Sequence, residues 1–310
     1  MQAPAPVPSE ILNCTPSQVD GIASDMEEEL RAFGVVLLQR ASVLLRLPQS
    51  TCVTASSILQ RFFFRRSLAD FDVRITAAAS LLLACKLQGS ERRLKHIIGV
   101  FYRLHLRWQS EGRSSSGRPL PSLDLRGRDA LEMKQAIISV EQQILSELGF
   151  GASLLLETPH RHMLQFLRTV SPTPRLDLAQ SAWNYLNDST CSTVCCEYQA
   201  HEIATASIFL AADKLGIPLP SRPPWWNACY TRYEDMMQIA KTMNAVYRRP
   251  FPPRWHQVHR KDAEVPGCLR SPDTEEGSPD QSPREASRSR SPKPAPKKVV
   301  RLTVGGRSRR

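Results

Sequence analysis

Apolar residues recur at the helical spacing of three and four positions through most of residues 17 to 250, and no stretch shows the sustained alternation of a half-buried strand. A first series of such patterns covers 17–33, 35–46, 51–66, 69–87, 91–108 and 129–148; a second covers 158–170, 175–189, 197–215 and 231–247. Asp25, Glu27, Glu28 and Glu29 stand early in the first segment, where carboxylates complement a helix N-terminus. Loop chemistry separates the series: QSEGRSSSGRPLPSLDLRGR interrupts the first, and the proline-rich PLPSRPPWW breaks the second. The pattern predicts an all-α chain.

Two segments are apolar nearly all round, which marks helices enclosed by other helices. ITAAASLLLACKL (75–87) and IATASIFLAADKL (203–215) align at an offset of 128 residues, pairing Ala78 with Ala206, Leu82 with Leu210, Ala84 with Ala212 and Lys86 with Lys214. Such a wide spacing indicates duplication of a domain rather than a solenoid. Each half is predicted to be a bundle of about five helices around one alanine-rich helix, the first over 18–150 and the second over 151–250. Residues 1–17 are proline-rich and expected to be unstructured. Residues 251–310 are read as a disordered Ser/Pro/Arg-rich tail, with too few aliphatic residues to offset the entropy of ordering.

Charge sharpens this division. The net charge of the 310 residues is +11, but residues 284–310 hold ten Lys or Arg against the single acid Glu285, leaving the rest close to neutral. A basic folded surface for nucleic acid is therefore not expected of the core. The eight cysteines show no disulfide framework, which fits a reducing compartment. The start, MQAPAPVPSE, lacks the basic and apolar regions of a secretory signal, and no apolar run approaches the roughly 18 residues needed to cross a bilayer. A soluble, intracellular protein with no membrane partner is expected.

Catalytic signatures are weak. GFGASL (149–154) begins like a dinucleotide loop, but Leu154 occupies the third glycine position and no strand precedes it. Cys191, Cys195, Cys196 and His201 supply the donor types of a zinc site, yet without a CxxC pair and across the start of an apolar helix. Packing as inert thiols accounts for them, and neither metal nor cofactor is expected. Lys86 sits in the last turn of its apolar segment, where a cation complements the helix dipole. A second polar intrusion, Glu141 in AIISVEQQILSELGF, shares that segment with Ile137, Ile138, Ile144, Leu145 and Leu148. Together Lys86 and Glu141 can form a charged pair at the rim of an apolar surface, the kind of device that fixes interface register.

With ASLLLACKL, VEQQILSELGF and the helical duplication in place, residues 20 to 250 resemble a cyclin. FGVVLLQRASVLLRLPQ, ILQRFFFRRS, HIIGVFYRLH, AWNYLNDS, LGIPLPSRPPWW and the tail element SRSRSP extend the resemblance to the cyclin L type. It implies two tandem cyclin boxes, no catalytic activity, and a regulatory subunit that binds and activates a cyclin-dependent serine/threonine kinase. It also implies roles in RNA polymerase II transcription and pre-mRNA splicing, with splicing factors as further partners through the tail, in the nucleus and its speckles. By resemblance, Lys86, Glu141 and Phe150 are the kinase-binding residues. Ser271, Ser278, Ser282 and Ser291 each precede proline and are candidate phosphorylation sites. Two departures qualify the match: Leu87, Gln88 and Gly89 replace the acids that commonly follow the lysine, and FDVRITA (71–77) fits poorly to a hydrophobic substrate-docking patch. The competing reading is a DNA-binding general transcription factor with two cyclin-like repeats; the nearly neutral core and the lack of an amino-terminal zinc ribbon weigh against it.

Overall fold

Alanine makes a crowded helix possible, and the segment Val73–Leu87 is buried on every face from Val73 to Cys85, with Ala77, Ala78, Ala79 and Ala84 fully enclosed. The computed structural model describes residues 7–110, 123–149, 157–170, 175–249 and 266–269. Among them there is no strand. The helices are α1 (Ser9–Asn13), α2 (Pro16–Val19), α3 (Ser24–Leu44), α4 (Gln49–Phe63), α5 (Val73–Leu87), α6 (Leu94–Ser110), α7 (Arg128–Leu148), α8 (Pro159–Val170), α9 (Leu176–Ser189), α10 (Val194–Glu197), α11 (Ala200–Leu215) and α12 (Tyr233–Val246).

Helices α3, α4, α6 and α7 surround α5, and the core between them holds Phe62, Phe63, Leu81, Ile97, Met133 and Ile137. The duplicate helix α11 is buried from Ile203 to Ala212 except for the partly exposed Phe209, and is enclosed by α8, α9, α10 and α12 around Met163, Leu178, Leu186, Met236 and Ile239. Two all-helical bundles, each built on an alanine-rich centre, follow directly from the two apolar repeats.

Three local expectations change. The pattern 17–33 divides, its first residues lying in α2 and those from 24 onward joining 35–44 in the single helix α3, because Gly34 marks a close crossing and not a break. A Cβ there would lie 2.7 Å from Val73 Cγ2 and 2.9 Å from Leu59 Cδ2, so only glycine lets α3 settle onto α4 and α5. The proline-rich start is ordered from residue 7 onward by polar contacts that composition does not reveal. Thr15 Oγ1 donates to Glu27 Oε2 at 2.6 Å, and the buried Ser17 hydroxyl accepts from Leu68 N at 3.1 Å. Within the expected tail, Gly267–Leu269 forms a short 3-10 turn on the first bundle, where Leu269 is buried and its carbonyl accepts from Arg74 Nη1 at 2.9 Å. The remainder of 251–310 lies outside the described residues.

A polar seam joins the two bundles. Gln39 Nε2 donates to Asn187 O at 3.0 Å, Gln49 Nε2 to Asn187 Oδ1 at 2.7 Å, and the fully buried Gln60 donates to Thr190 O at 3.2 Å. These bonds run from α3 and α4 to the end of α9, and they fix which face of the second bundle meets the first.

Candidate functional site

Helix α5 starts at Asp72, whose carboxylate accepts from Arg74 N at 2.7 Å. It ends in a tight reversal: Gln88 N donates to Ala84 O at 2.9 Å, Ser90 N donates to Cys85 O at 2.9 Å, and Gly89 takes the left-handed conformation at φ 62°. Beyond it, Gln88 Nε2 donates to Thr54 Oγ1 at 3.0 Å and the Thr51 and Ser90 hydroxyls meet at 2.8 Å. The last turn of α5, and with it the Lys86 backbone, is thereby held against α4.

Across from Lys86 runs α7. Its buried stripe is Ala130, Met133, Ile137, Glu141 and Ile144, spaced three and four apart, so a carboxylate occupies what the period makes a core position. Lys86 Nζ lies 2.7 Å from Glu141 Oε1 and 2.9 Å from Oε2, gripping both oxygens. The pair is asymmetric: the lysine side chain is 52% exposed and the glutamate only 9%. Glu141 is thus an anchor within the bundle, and Lys86 lies over it with half its surface in solvent. Ile138, Leu145 and Leu148 share the α7 side of Glu141 by helical spacing and are each partly exposed. The result is a fixed cation beside partly exposed aliphatic side chains. It can present charge and apolar surface to another protein at once.

The duplicate lysine is placed differently. Lys214 ends α11 over the Tyr185 ring, 5.7 Å from its centroid, with no carboxylate partner among the described residues. Only the first repeat couples its lysine to a buried acid.

No metal centre forms from the cysteine cluster. Among the described residues no group of three or more His, Cys, Asp or Glu is arranged to hold an ion. Cys191 is buried and its thiol is pushed up to about 12, chiefly by burial, so it remains protonated. Phe150 lies outside the described residues, as do Ser271, Ser278, Ser282 and Ser291.

The chain matches the family described as Cyclin, N-terminal domain over residues 9–153, the part that contains both Lys86 and Glu141. It is 34% identical to Cyclin-L1-1 of Arabidopsis thaliana over 241 residues, which is 78% of this chain and 55% of that one. The chain belongs to the cyclin family. Human Cyclin-L1 is 35% identical over 246 residues, covering 79% of this cyclin and 45% of the human protein. This cyclin therefore spans about half the length of the curated relatives it matches. Its fold is shared with a chain in the crystal structure of the yeast RNA Pol II CTD kinase CTDK-1 complex, with a TM-score of 0.64 at 17% identity, covering 81% of this cyclin and 75% of that chain.

Two polar networks that sequence reasoning missed hold the site's scaffold. Arg31, 2% exposed, donates to Glu27 Oε1 at 2.6 Å and to the α4 carbonyl of Phe63 at 2.7 Å. Arg74 pairs with Asp72, donates to Leu269 O, and lies 3.2 Å from His105 Nδ1. Within FDVRITA the residues from Asp72 onward are all buried, and Asp72 and Arg74 serve the fold. A carboxylate four residues before an arginine, as in Glu27 and Arg31, was the available signal, but it reads equally well as a surface pair.

Proposed function

We propose that this cyclin is a non-catalytic regulatory subunit that binds and activates a cyclin-dependent serine/threonine kinase. The observation that carries the reading is the Lys86–Glu141 clasp, a buried acid fixing a half-exposed cation beside aliphatic residues of α7. Activation works by differential binding. A rigid face that fits the active arrangement of the kinase better than the inactive one shifts the population toward the active form. The two bundles and their polar seam supply that rigidity, because a docking face that deforms on contact loses selectivity between the two states.

Resemblance to cyclin-L1 and cyclin-L2 proteins supports a finer reading: a kinase acting in RNA polymerase II transcription and pre-mRNA splicing, in the nucleus and its speckles, with splicing factors contacted through the tail. Phosphorylation at Ser271, Ser278, Ser282 and Ser291 would reduce the tail's positive charge. The DNA-binding alternative gains no support, since removing residues 284–310 leaves a net charge near +2 by residue count. Affinity purification of the tagged full chain from nuclear extract, followed by mass spectrometry, tests the proposal. A stoichiometric serine/threonine kinase is expected; recovery without any kinase overturns it.

A further inference from the structure

A groove of about 570 Å³ opens where the C-terminal end of α3 faces α6 and residues 123–125. Arg46, Arg92, Lys95 and Arg103 line it together with Leu44 and Leu125, which are 58% and 49% exposed. None of the four cations forms an ion pair with a carboxylate among the described residues. The acids of the neighbourhood, Glu91 and Asp124, do not neutralise them: Asp124 accepts from the backbone of Arg126 at 3.0 Å, and Glu91 meets Arg92 only through its own carbonyl.

Two residues of this groove are poor choices for the fold alone. Arg46 closes α3 in the left-handed conformation, φ 52°, where Leu47 N donates to Ser42 O at 2.9 Å; glycine fills this position without the Cβ penalty. Its backbone carbonyl is clamped by Arg92 Nη2 at 3.1 Å while its own side chain stands exposed. Gly99 sits inside α6, where glycine is the weakest former after proline, and a Cβ built on it meets nothing within 4 Å. Gly34 is required by a close helix crossing, but nothing among the described residues requires Gly99. Both departures face one groove, a strained residue supplying a cation and a missing side chain leaving the floor open.

We infer that this groove is a docking site for an acidic peptide segment of a partner protein, with aliphatic side chains seated against Leu44 and Leu125 over Gly99 and its carboxylates on Arg46, Lys95 and Arg103. Charge complementarity sets the anionic character, and unpaired cations beside exposed leucines match a chain that alternates acids with aliphatic residues. Nucleic acid is a poorer fit, because among the described residues His96 is the single aromatic ring in the lining, with no Phe, Tyr or Trp to stack successive bases, and the aliphatic surface offers nothing to phosphate. The surface is built from α3 and α6, whereas the clasp of Lys86 and Glu141 joins α5 and α7, so the inference does not rest on the kinase reading.

The test uses the full chain and a fluorescein-labelled peptide of about ten residues in which leucines stand among glutamates, compared with its glutamine counterpart and a single-stranded RNA of equal charge. The glutamate peptide is expected to bind, and more weakly as salt is raised. Gly99→Leu, which fills the floor, and Arg46→Gly, which removes the cation and relaxes the turn, should each weaken it about tenfold or more while melting temperatures stay level or rise. A purely structural role for these residues cannot produce lower binding with equal or greater stability. Equal binding of the glutamine peptide, equal binding of the RNA, or unchanged affinity in both variants overturns the inference. So does loss of the co-purifying kinase in Gly99→Leu.

Discussion

His105 is 7% exposed, and its Nδ1 faces a guanidinium that can only donate, so that nitrogen accepts and the proton resides on Nε2. Burial first, and then the positive charge of Arg74, hold its pKa at about 4, with Asp72 opposing. The unfolded chain takes up a proton near pH 6.5 that the folded chain refuses. Stability from this residue is therefore complete above pH 6.5 and is lost as pH falls toward 4, by at most roughly 3 kcal/mol. Urea unfolding at pH 7 and pH 4.5 should show a smaller acid loss in His105→Gln than in the wild type; parallel losses would count against the assignment. At this scale the sequence was partly legible. Lys86 and Glu141 each stood out as a charge in an apolar period, but the bidentate grip and the unequal burial depend on how far α7 rolls toward α5. His105 carried no signal, since its partner Arg74 lies 31 positions away along the chain, and Leu269, whose carbonyl accepts from Arg74, lies 195 positions from Arg74.

Helix α3 shows how an element depends on buried polarity and on one missing side chain. Arg31 links Glu27 to the carbonyls that end α4, so Arg31→Met strands a buried carboxylate and unsatisfied carbonyls together. A loss of about 3 kcal/mol is expected, read as a lower urea midpoint with unchanged slope. Gly34→Ala forces a methyl group against Val73 and Leu59 and should cost about 1–3 kcal/mol, despite alanine's better helix propensity. A stabilised Gly34→Ala protein would show that the crossing has room. Periodicity placed the long helices well because each carries a continuous apolar stripe. It misplaced the break at Gly34, where the absence of a side chain serves packing, it overlooked α1, and it did not separate α2, which the Thr15 and Ser17 hydroxyls tie to Glu27 and Leu68. The short α10 and its separation from α11 were likewise unreadable from the period alone; the pattern begins at 197, the last residue of α10, whereas Gln199 N donates to Glu202 Oε2 at 2.8 Å and starts α11 afresh at Ala200.

Across the whole molecule, the seam around Asn187 couples two separately cored bundles. Asn187→Ala removes the acceptor that Gln49 and His160 share, at 2.7 and 2.9 Å. Unfolding is expected to separate into two transitions, seen as non-coincident curves by far-UV circular dichroism and tryptophan fluorescence. A single coincident transition would mean that the remaining contacts suffice. The duplication itself was visible in the sequence, because both central helices keep small and large residues in register; the seam was not, because glutamines on α3 and α4 look like ordinary surface residues until the second bundle meets them. The central claim concerns the face that the clasp sets up. Its most direct measurement is kinase binding and activation by the full chain carrying Lys86→Glu, alone and combined with Glu141→Lys. The exchanged pair should restore the internal ion pair and wild-type melting, yet bind and activate the kinase about tenfold or more worse, like the single variant. An exchanged pair that binds and activates as well as the wild type would show that these charges hold the fold and do not meet the kinase.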